Sequence, residues 1–181
     1  GSGRVPAAFN GLVGLKPSRG LLSTRGVVPA CRTLDCVSIF ARNAVDADAV
    51  FQVAAHFDPA DPYARELLQT PAERRARFLF GIPHRDQLEF FGNQGAARAF
   101  QDAVDQVQRM GGEAVTLDFT PFLAVARLLY EGPWVAERYA AIADFIQRQP
   151  EALFPVTRAI IEPATQLSAI QAFEAQYQLQ T

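Results

Sequence analysis

Lysine, cysteine and histidine are all scarce in this chain of 181 residues. All but one of its 17 basic residues are arginine. The two cysteines, Cys31 and Cys36, and the two histidines, His56 and His84, do not occur at the spacings that a zinc site requires. Two thiols also cannot build the dense disulfide framework of a small secreted protein. We therefore expect no metal site and no cofactor, and we expect free thiols in a reducing cytosol.

Long apolar runs and basic runs are absent as well. No apolar stretch approaches the about 20 residues that span a bilayer, and no signal-peptide pattern occurs. The net charge is −2, which favours neither nucleic acid nor an anionic membrane. With 49% hydrophobic and 20% charged residues, the composition is typical of a globular domain. We expect a cytoplasmic protein without nucleic-acid or membrane partners, and homo-oligomerisation is an open alternative.

The most informative segment is the first 17 residues, G-S-G-R-V-P-A-A-F-N-G-L-V-G-L-K-P. It resembles the nucleophile segment of the amidase signature family of serine hydrolases, and the resemblance continues through T-L-D-C-V-S at 33–38. The resemblance implies that Ser2 is the acylated serine and that the backbone N–H groups of Gly1 and Ser2 stabilise the oxyanion. A Gly-Ser pair at the start of a chain is also what a cleaved expression tag leaves, which is the alternative for Ser2.

The family that this segment resembles activates its serine with a Ser–Ser–Lys triad. A serine hydroxyl is a weak nucleophile without an adjacent base, and in this family a neutral lysine takes the proton through a bridging serine. Lys16 follows Ser2 in the chain, whereas the family's catalytic lysine precedes the nucleophile. Neither missing role can be assigned to a residue here. The resemblance therefore implies an amidase fragment, truncated at both ends and inactive by itself.

A second resemblance involves L-L-Y-E-G-P-W-V-A-E-R-Y at 128–139. It is similar to the allophanate-hydrolase branch of the family, in which a tyrosine and an arginine spaced like Tyr130 and Arg138 bind the substrate. Allophanate is a small planar anion with a terminal amide, and a guanidinium can pair bidentately with its carboxylate. The other interpretation makes Tyr130 a half-buried aromatic residue at a helix end. Arg138 would then be a surface partner of Glu131 or Glu137.

The sequence leaves rival functions open. The nucleophile motif cannot separate allophanate hydrolysis from a general amidase, or from the amidase component of the glutamyl-tRNA amidotransferase, because all of them share it. A truncated product with only a structural role is the alternative from another class.

The predicted fold is α/β, a partial amidase-signature fold with a mixed sheet flanked by helices and a helix-rich C-terminal half. We predict that the whole chain belongs to a single amidase domain. Its segments are a nucleophile segment with strands and a helix over 1–57, a βαβ unit over 77–120, and a helical substrate-site region over 121–181.

Local patterns give the elements within these segments. Glycine and proline between short apolar runs predict strands and turns rather than helix over 1–40, and Asn43 is the predicted N-cap of the next helix. The apolar run 78–82 predicts a strand buried on both faces, followed by a helix over 94–110 and a parallel strand from Val115. After residue 121 only helices are predicted. Gly132-Pro133 divides two of them, and a last helix containing Leu167, Ile170 and Phe173 follows Pro163.

Overall fold

The computed structural model describes residues 3–66 and 76–181. They form two compact units, one made of 3–66 with 132–181 and the other of 76–131. Helices alternate with two small sheets of two strands each, which confirms the α/β class. Within these ranges, no helix combines the length and the apolar character needed to cross a membrane.

The first unit begins with a helix, a small sheet and a second helix. Helix α1 (Val5–Phe9) precedes strand β1 (Val13–Leu15), which pairs antiparallel with β2 (Ile39–Ala41). Helix α2 (Ala44–Ala54) follows, and the Asn43 side chain accepts a hydrogen bond from the Asp46 N–H at 2.9 Å. The predicted N-cap at Asn43 is thereby confirmed.

The prediction of strands and turns without helix over 1–40 is wrong in part. Residues 5–9 are helical, and Pro6 is tolerated there because it lies in the first turn, where its missing N–H would have no partner within the helix. The apolar pair Leu21-Leu22 forms no strand either. Leu22 instead packs from a loop against Ile39 and Ala47, and these three residues form the buried core of this part of the unit.

The second unit contains the predicted βαβ arrangement. Strand β3 (Phe78–Pro83) and strand β4 (Gly112–Leu117) pair in parallel, and helix α3 (Gln94–Arg109) connects them. Gly111 turns the chain between α3 and β4 with φ +97°, and a Cβ there would lie 2.1 Å from the Ala76 carbonyl oxygen. Helix α4 (Thr120–Glu131) follows β4. The parallel pairing predicted from the sequence is confirmed.

The prediction that β3 is buried on both faces is wrong for this chain. Helix α3 packs on the sheet. Ile82 and Ala114 line the groove between the sheet and this helix. Side chains alternate along a strand, so Leu79 on β3 shares the other face with Val115 and Leu117 on β4. Leu79 is 69% exposed, and the two β4 residues are exposed as well. An apolar run of strand length does not itself reveal how many faces the rest of a fold covers.

Three helices complete the first unit. They are α5 (Val135–Arg148), α6 (Pro155–Ile161) and α7 (Ala169–Gln180). Gly132-Pro133 separates α4 from α5, as predicted. Helix α7 begins later than predicted, so Leu167 lies outside it. Ser168 accepts from the Gln171 N–H at 3.2 Å, and the Gln171 side chain accepts from the Ser168 N–H at 2.8 Å. This capping box sets the start of α7.

Candidate active site

The predicted nucleophile Ser2 and the predicted oxyanion donor Gly1 lie outside the described residues. The backbone that follows them is closely packed. A Cβ on Gly3 would lie 2.5 Å from Ser38 Oγ, and a Cβ on Gly14 would lie 2.5 Å from the Gly3 carbonyl oxygen. Residue 3 is therefore held between β1 and the residue that precedes β2. The glycines of the motif permit this approach because a side chain at either position would collide.

The rest of the nucleophile motif builds a compact support. Ala7 on α1 is buried, and the Leu12 N–H donates to the Ala7 carbonyl at 2.8 Å, which brings the chain back from α1 into β1. Lys16 Nζ donates to the Pro17 carbonyl oxygen at 2.7 Å. The motif therefore folds as a short helix, α1, that packs on a short strand, β1.

Tyr130 and Arg138 belong to different units. Tyr130 lies near the end of α4 and is 64% exposed, whereas Arg138 lies near the start of α5 and is half-buried. Helix α4 ends at Glu131 and α5 begins at Val135, so the two residues do not share one unbroken helix. Their spacing of eight residues therefore gives them no common helical face.

Arg138 lies beside a buried thiol. The Cys31 side chain is buried, and its Sγ lies 3.6 Å from the carbonyl oxygen of Trp134. Burial raises the pKa of the Cys31 thiol, and the hydrogen bond and charge of the Arg138 guanidinium oppose that rise. The thiol is therefore protonated at neutral pH. Arg138 faces a neutral sulfur here rather than a thiolate.

Glu137, the residue before Arg138, is engaged by Thr33. The Thr33 N–H donates to Glu137 Oε2 at 2.9 Å, and the Thr33 hydroxyl donates to Glu137 Oε1. Both carboxylate oxygens thus accept hydrogen bonds from a loop that is distant in the chain. The sequence places Thr33 in the family resemblance at 33–38 and offers Glu137 as a partner of Arg138, but no local signal pairs Thr33 with Glu137.

The loop 30–35 is closed on itself by Asp35. The Asp35 carboxylate accepts from the Ala30 N–H at 3.0 Å and from the Cys31 N–H at 3.1 Å, while the Asp35 N–H donates to the Cys31 carbonyl at 2.7 Å. The Thr33 carbonyl oxygen also accepts from the Arg19 guanidinium. These bonds fix where the loop presents Cys31 and Thr33 to α5.

The Asp61 carboxylate, in the same unit, also accepts several hydrogen bonds. Asp61 is buried, and its Oδ2 accepts from the Thr24 N–H at 2.7 Å and from the Thr24 hydroxyl at 3.1 Å. Its Oδ1 accepts from the Tyr63 N–H at 2.9 Å, and hydrogen bonds from these backbone groups lower the pKa of Asp61. A carboxylate that is held by so many donors is unsuited to act as a general base. Asp61 fastens two loops together.

The chain belongs to the amidase family, because residues 1–179 match the family model described as Amidase. It is similar to urea amidolyase from Saccharomyces cerevisiae, with 44% identity over 99% of this chain and 10% of that protein. It is also similar to the solved structure of allophanate hydrolase from Kluyveromyces lactis, with a TM-score of 0.91, 42% identity, and coverage of 99% of this chain and 30% of that chain. The family resemblance predicted from 1–17 and 128–139 is confirmed.

A more distant relative is the indoleacetamide hydrolase of Pseudomonas syringae pv. syringae, with 29% identity over 81% of this chain and 30% of that protein. The chain thus spans between 10% and 30% of the length of these relatives. The similarity to urea amidolyase and allophanate hydrolase extends over nearly the whole chain, including 128–139.

Proposed function

We propose that this chain is part of an amidohydrolase that hydrolyses the C–N amide bond of allophanate, with Ser2 as its nucleophile. Arg138 carries the proposal: it is half-buried, it lies beside a neutral thiol, and the helix turn that holds it is fixed to a loop by Thr33 and Glu137. A guanidinium in such a place can pair bidentately with a small carboxylate. The similarity to allophanate hydrolase over 99% of the chain supports this substrate.

In the proposed reaction, the Ser2 hydroxyl attacks the terminal amide carbonyl of allophanate. The oxyanion that forms accepts hydrogen bonds from the N–H groups of Gly1 and Ser2. The C–N bond then breaks, and the amino group takes up the proton released by Ser2 and leaves as ammonia. Water hydrolyses the resulting acyl-serine ester and restores the hydroxyl. Arg138 pairs with the substrate carboxylate. The role of Tyr130 that the family resemblance implies stays a prediction.

The proton path of this reaction needs groups that the 181 residues do not supply. The family's triad combines the nucleophile with a bridging serine and a neutral lysine, and Lys16 is the only lysine of the chain. We therefore propose that the isolated chain is inactive and that a larger protein provides the base. The isolated chain should neither release ammonia from allophanate nor be acylated at Ser2 by serine-directed probes.

The proposal is tested by substitutions at Arg138 in the complete product of the gene that encodes this chain. Arg138→Ala leaves the substrate carboxylate without its partner, which should cost about 2–4 kcal/mol of transition-state stabilisation for allophanate. Arg138→Lys should restore only part of this, because an ammonium cannot reproduce the planar fork. Steady-state ammonia release from allophanate and from a neutral primary amide gives both values.

The neutral amide is the control substrate, since it has no carboxylate for Arg138. Its turnover should change little in both variants. Equal losses on both substrates would show that Arg138 is structural. Turnover of neutral amides alone by the wild-type protein would favour a general amidase instead.

A further inference from the structure

Two hydrogen bonds to a carboxylate join the loop 30–35 to the first turn of α5. Glu137 lies in the first turn of α5, where a negative charge is favourable, and both of its oxygens accept from Thr33. Hydrogen bonds to an ionised acceptor are stronger than those between neutral groups. We call this contact, formed by Thr33 and Glu137, the loop clamp.

The loop side of the clamp has hydrogen bonds of its own. Asp35 accepts from the N–H groups of Ala30 and Cys31, so hydrogen bonds within the loop also hold it. The same loop buries the Cys31 thiol against the Trp134 carbonyl, one residue before α5 begins. The loop therefore contacts the start of α5 at two points.

Arg138 lies next to these two points of contact in the chain. It follows Glu137 directly in the chain, and the hydrogen bond and charge of its guanidinium oppose the burial that raises the pKa of the Cys31 thiol. A change in how the loop meets α5 would therefore shift both the helix turn that carries Arg138 and the group beside its guanidinium. Displacements of about 1 Å at a substrate-positioning group are enough to weaken catalysis.

We propose that the loop clamp, together with the Cys31 thiol, positions the Arg138 guanidinium for the substrate carboxylate and so makes the site selective for amides that carry one. This inference rests on the proposed function. Thr33 and Glu137 act through Arg138 and need not touch the substrate, so they are positioning residues. Their loss should affect allophanate far more than a neutral amide.

The test uses Thr33→Val in the complete gene product. Valine keeps the shape of the side chain and removes the hydroxyl donor to Glu137. We expect kcat/KM for allophanate to fall roughly three- to tenfold, mainly through a higher KM, while kcat/KM for a neutral primary amide changes less than about twofold. Thr33→Ser keeps both donors and should retain the wild-type ratio of the two substrates.

Thr24→Val is the matched control. Thr24 also donates its N–H and its hydroxyl to one carboxylate of the same unit, that of Asp61, and neither residue belongs to the loop clamp. This variant should be less stable to heat and keep the wild-type substrate ratio. If Thr33→Val does not fold, Glu137→Gln tests the same contact, because glutamine keeps one acceptor for Thr33 while losing the charge.

A double variant separates positioning from general stability. In an Arg138→Ala background, Thr33→Val should cause no further loss of selectivity, since the residue through which it acts is gone. An unchanged substrate ratio in Thr33→Val, or equal losses on both substrates, would overturn the positioning role while leaving the proposed function intact. If the wild-type protein does not hydrolyse allophanate, the proposed function fails and this inference fails with it.

Discussion

The two units of the chain differ in how apolar side chains pack beside their sheets. In the first unit, Leu22 from a loop, Ile39 from β2 and Ala47 from α2 are buried together. In the second unit, α3 packs on one face of the β3–β4 sheet, whereas Leu79 on the opposite face is 69% exposed. Parallel sheets normally have both faces covered. The first unit therefore contains a small buried cluster, and the second contains a sheet with one open face.

Hydrogen bonds to carboxylates also hold the first unit together. Loops of the first unit are held by carboxylates that accept from several backbone N–H groups, as Asp35 and Asp61 do. Such loops can present side chains with little freedom, which a binding site requires. Exposed apolar side chains usually contact another surface, and both units carry them: Leu79 in the second unit, and Phe9 and Val53 in the first.

The largest expected difference between the units comes from shortening one leucine in each. Leu22→Ala removes buried methyl groups and should lower the free energy of unfolding by about 2–5 kcal/mol. Leu79→Ala removes an exposed side chain and should cost less than about 0.5 kcal/mol. Urea unfolding followed by circular dichroism measures both. Equal losses would mean that the face carrying Leu79 is covered in solution.

We expect a smaller difference in stability when either of two glycines with similar positive φ angles is replaced by alanine. Gly26 has φ +83° and open space around it, whereas a Cβ on Gly111, with φ +97°, would collide with the Ala76 carbonyl oxygen. Gly26→Ala should cost about 1–2 kcal/mol for the left-handed conformation. Gly111→Ala should cost more, because the β3–β4 connection must also move. Thermal unfolding measures both variants. An equal fall in their melting temperatures would contradict the expected difference.

The smallest expected effect is on the pH dependence of unfolding of the second unit in acid. Hydrogen bonds from the Thr120 N–H and the Gln87 side chain lower the pKa of Asp118 from 3.8 to about 2. Because the folded-state pKa is the lower one, this stabilisation is present above pH 3.8 and is lost as the pH falls toward about 2. Asp118→Asn should flatten the pH dependence of unfolding in that window. Hydrogen exchange of the β4 amides can follow it, and an unchanged slope would contradict the assignment.

Local signals explain which elements could be predicted. Asn43 before an apolar helix, the strand–helix–strand pattern over 78–117 and the Gly132-Pro133 break all act within a few residues, and all three appear in the structure. The helix Val5–Phe9 is not predicted when Pro6 is taken as a helix breaker, although proline is tolerated in a first turn. The Ser168–Gln171 capping box is also a local signal, and it marks the start of α7 better than Pro163 does.

Contacts between distant segments could not be predicted in this way. Thr33 and Glu137 are 104 positions apart, and each is an ordinary surface residue by type. The assignment of Glu137 as a partner of Arg138 considers only neighbours in the chain. Pairing across such a distance depends on how loops and helices pack, which no periodicity encodes.

The sequence by itself determined the family, because the two segments that carry the resemblance, 1–17 and 128–139, are short and can be read without the fold. Only the tertiary structure decided what surrounds Arg138: a buried thiol from one loop and a neighbouring carboxylate held by Thr33. The physical reason is that a motif specifies which groups are available. Their direction and environment come from packing between segments that lie far apart in the chain.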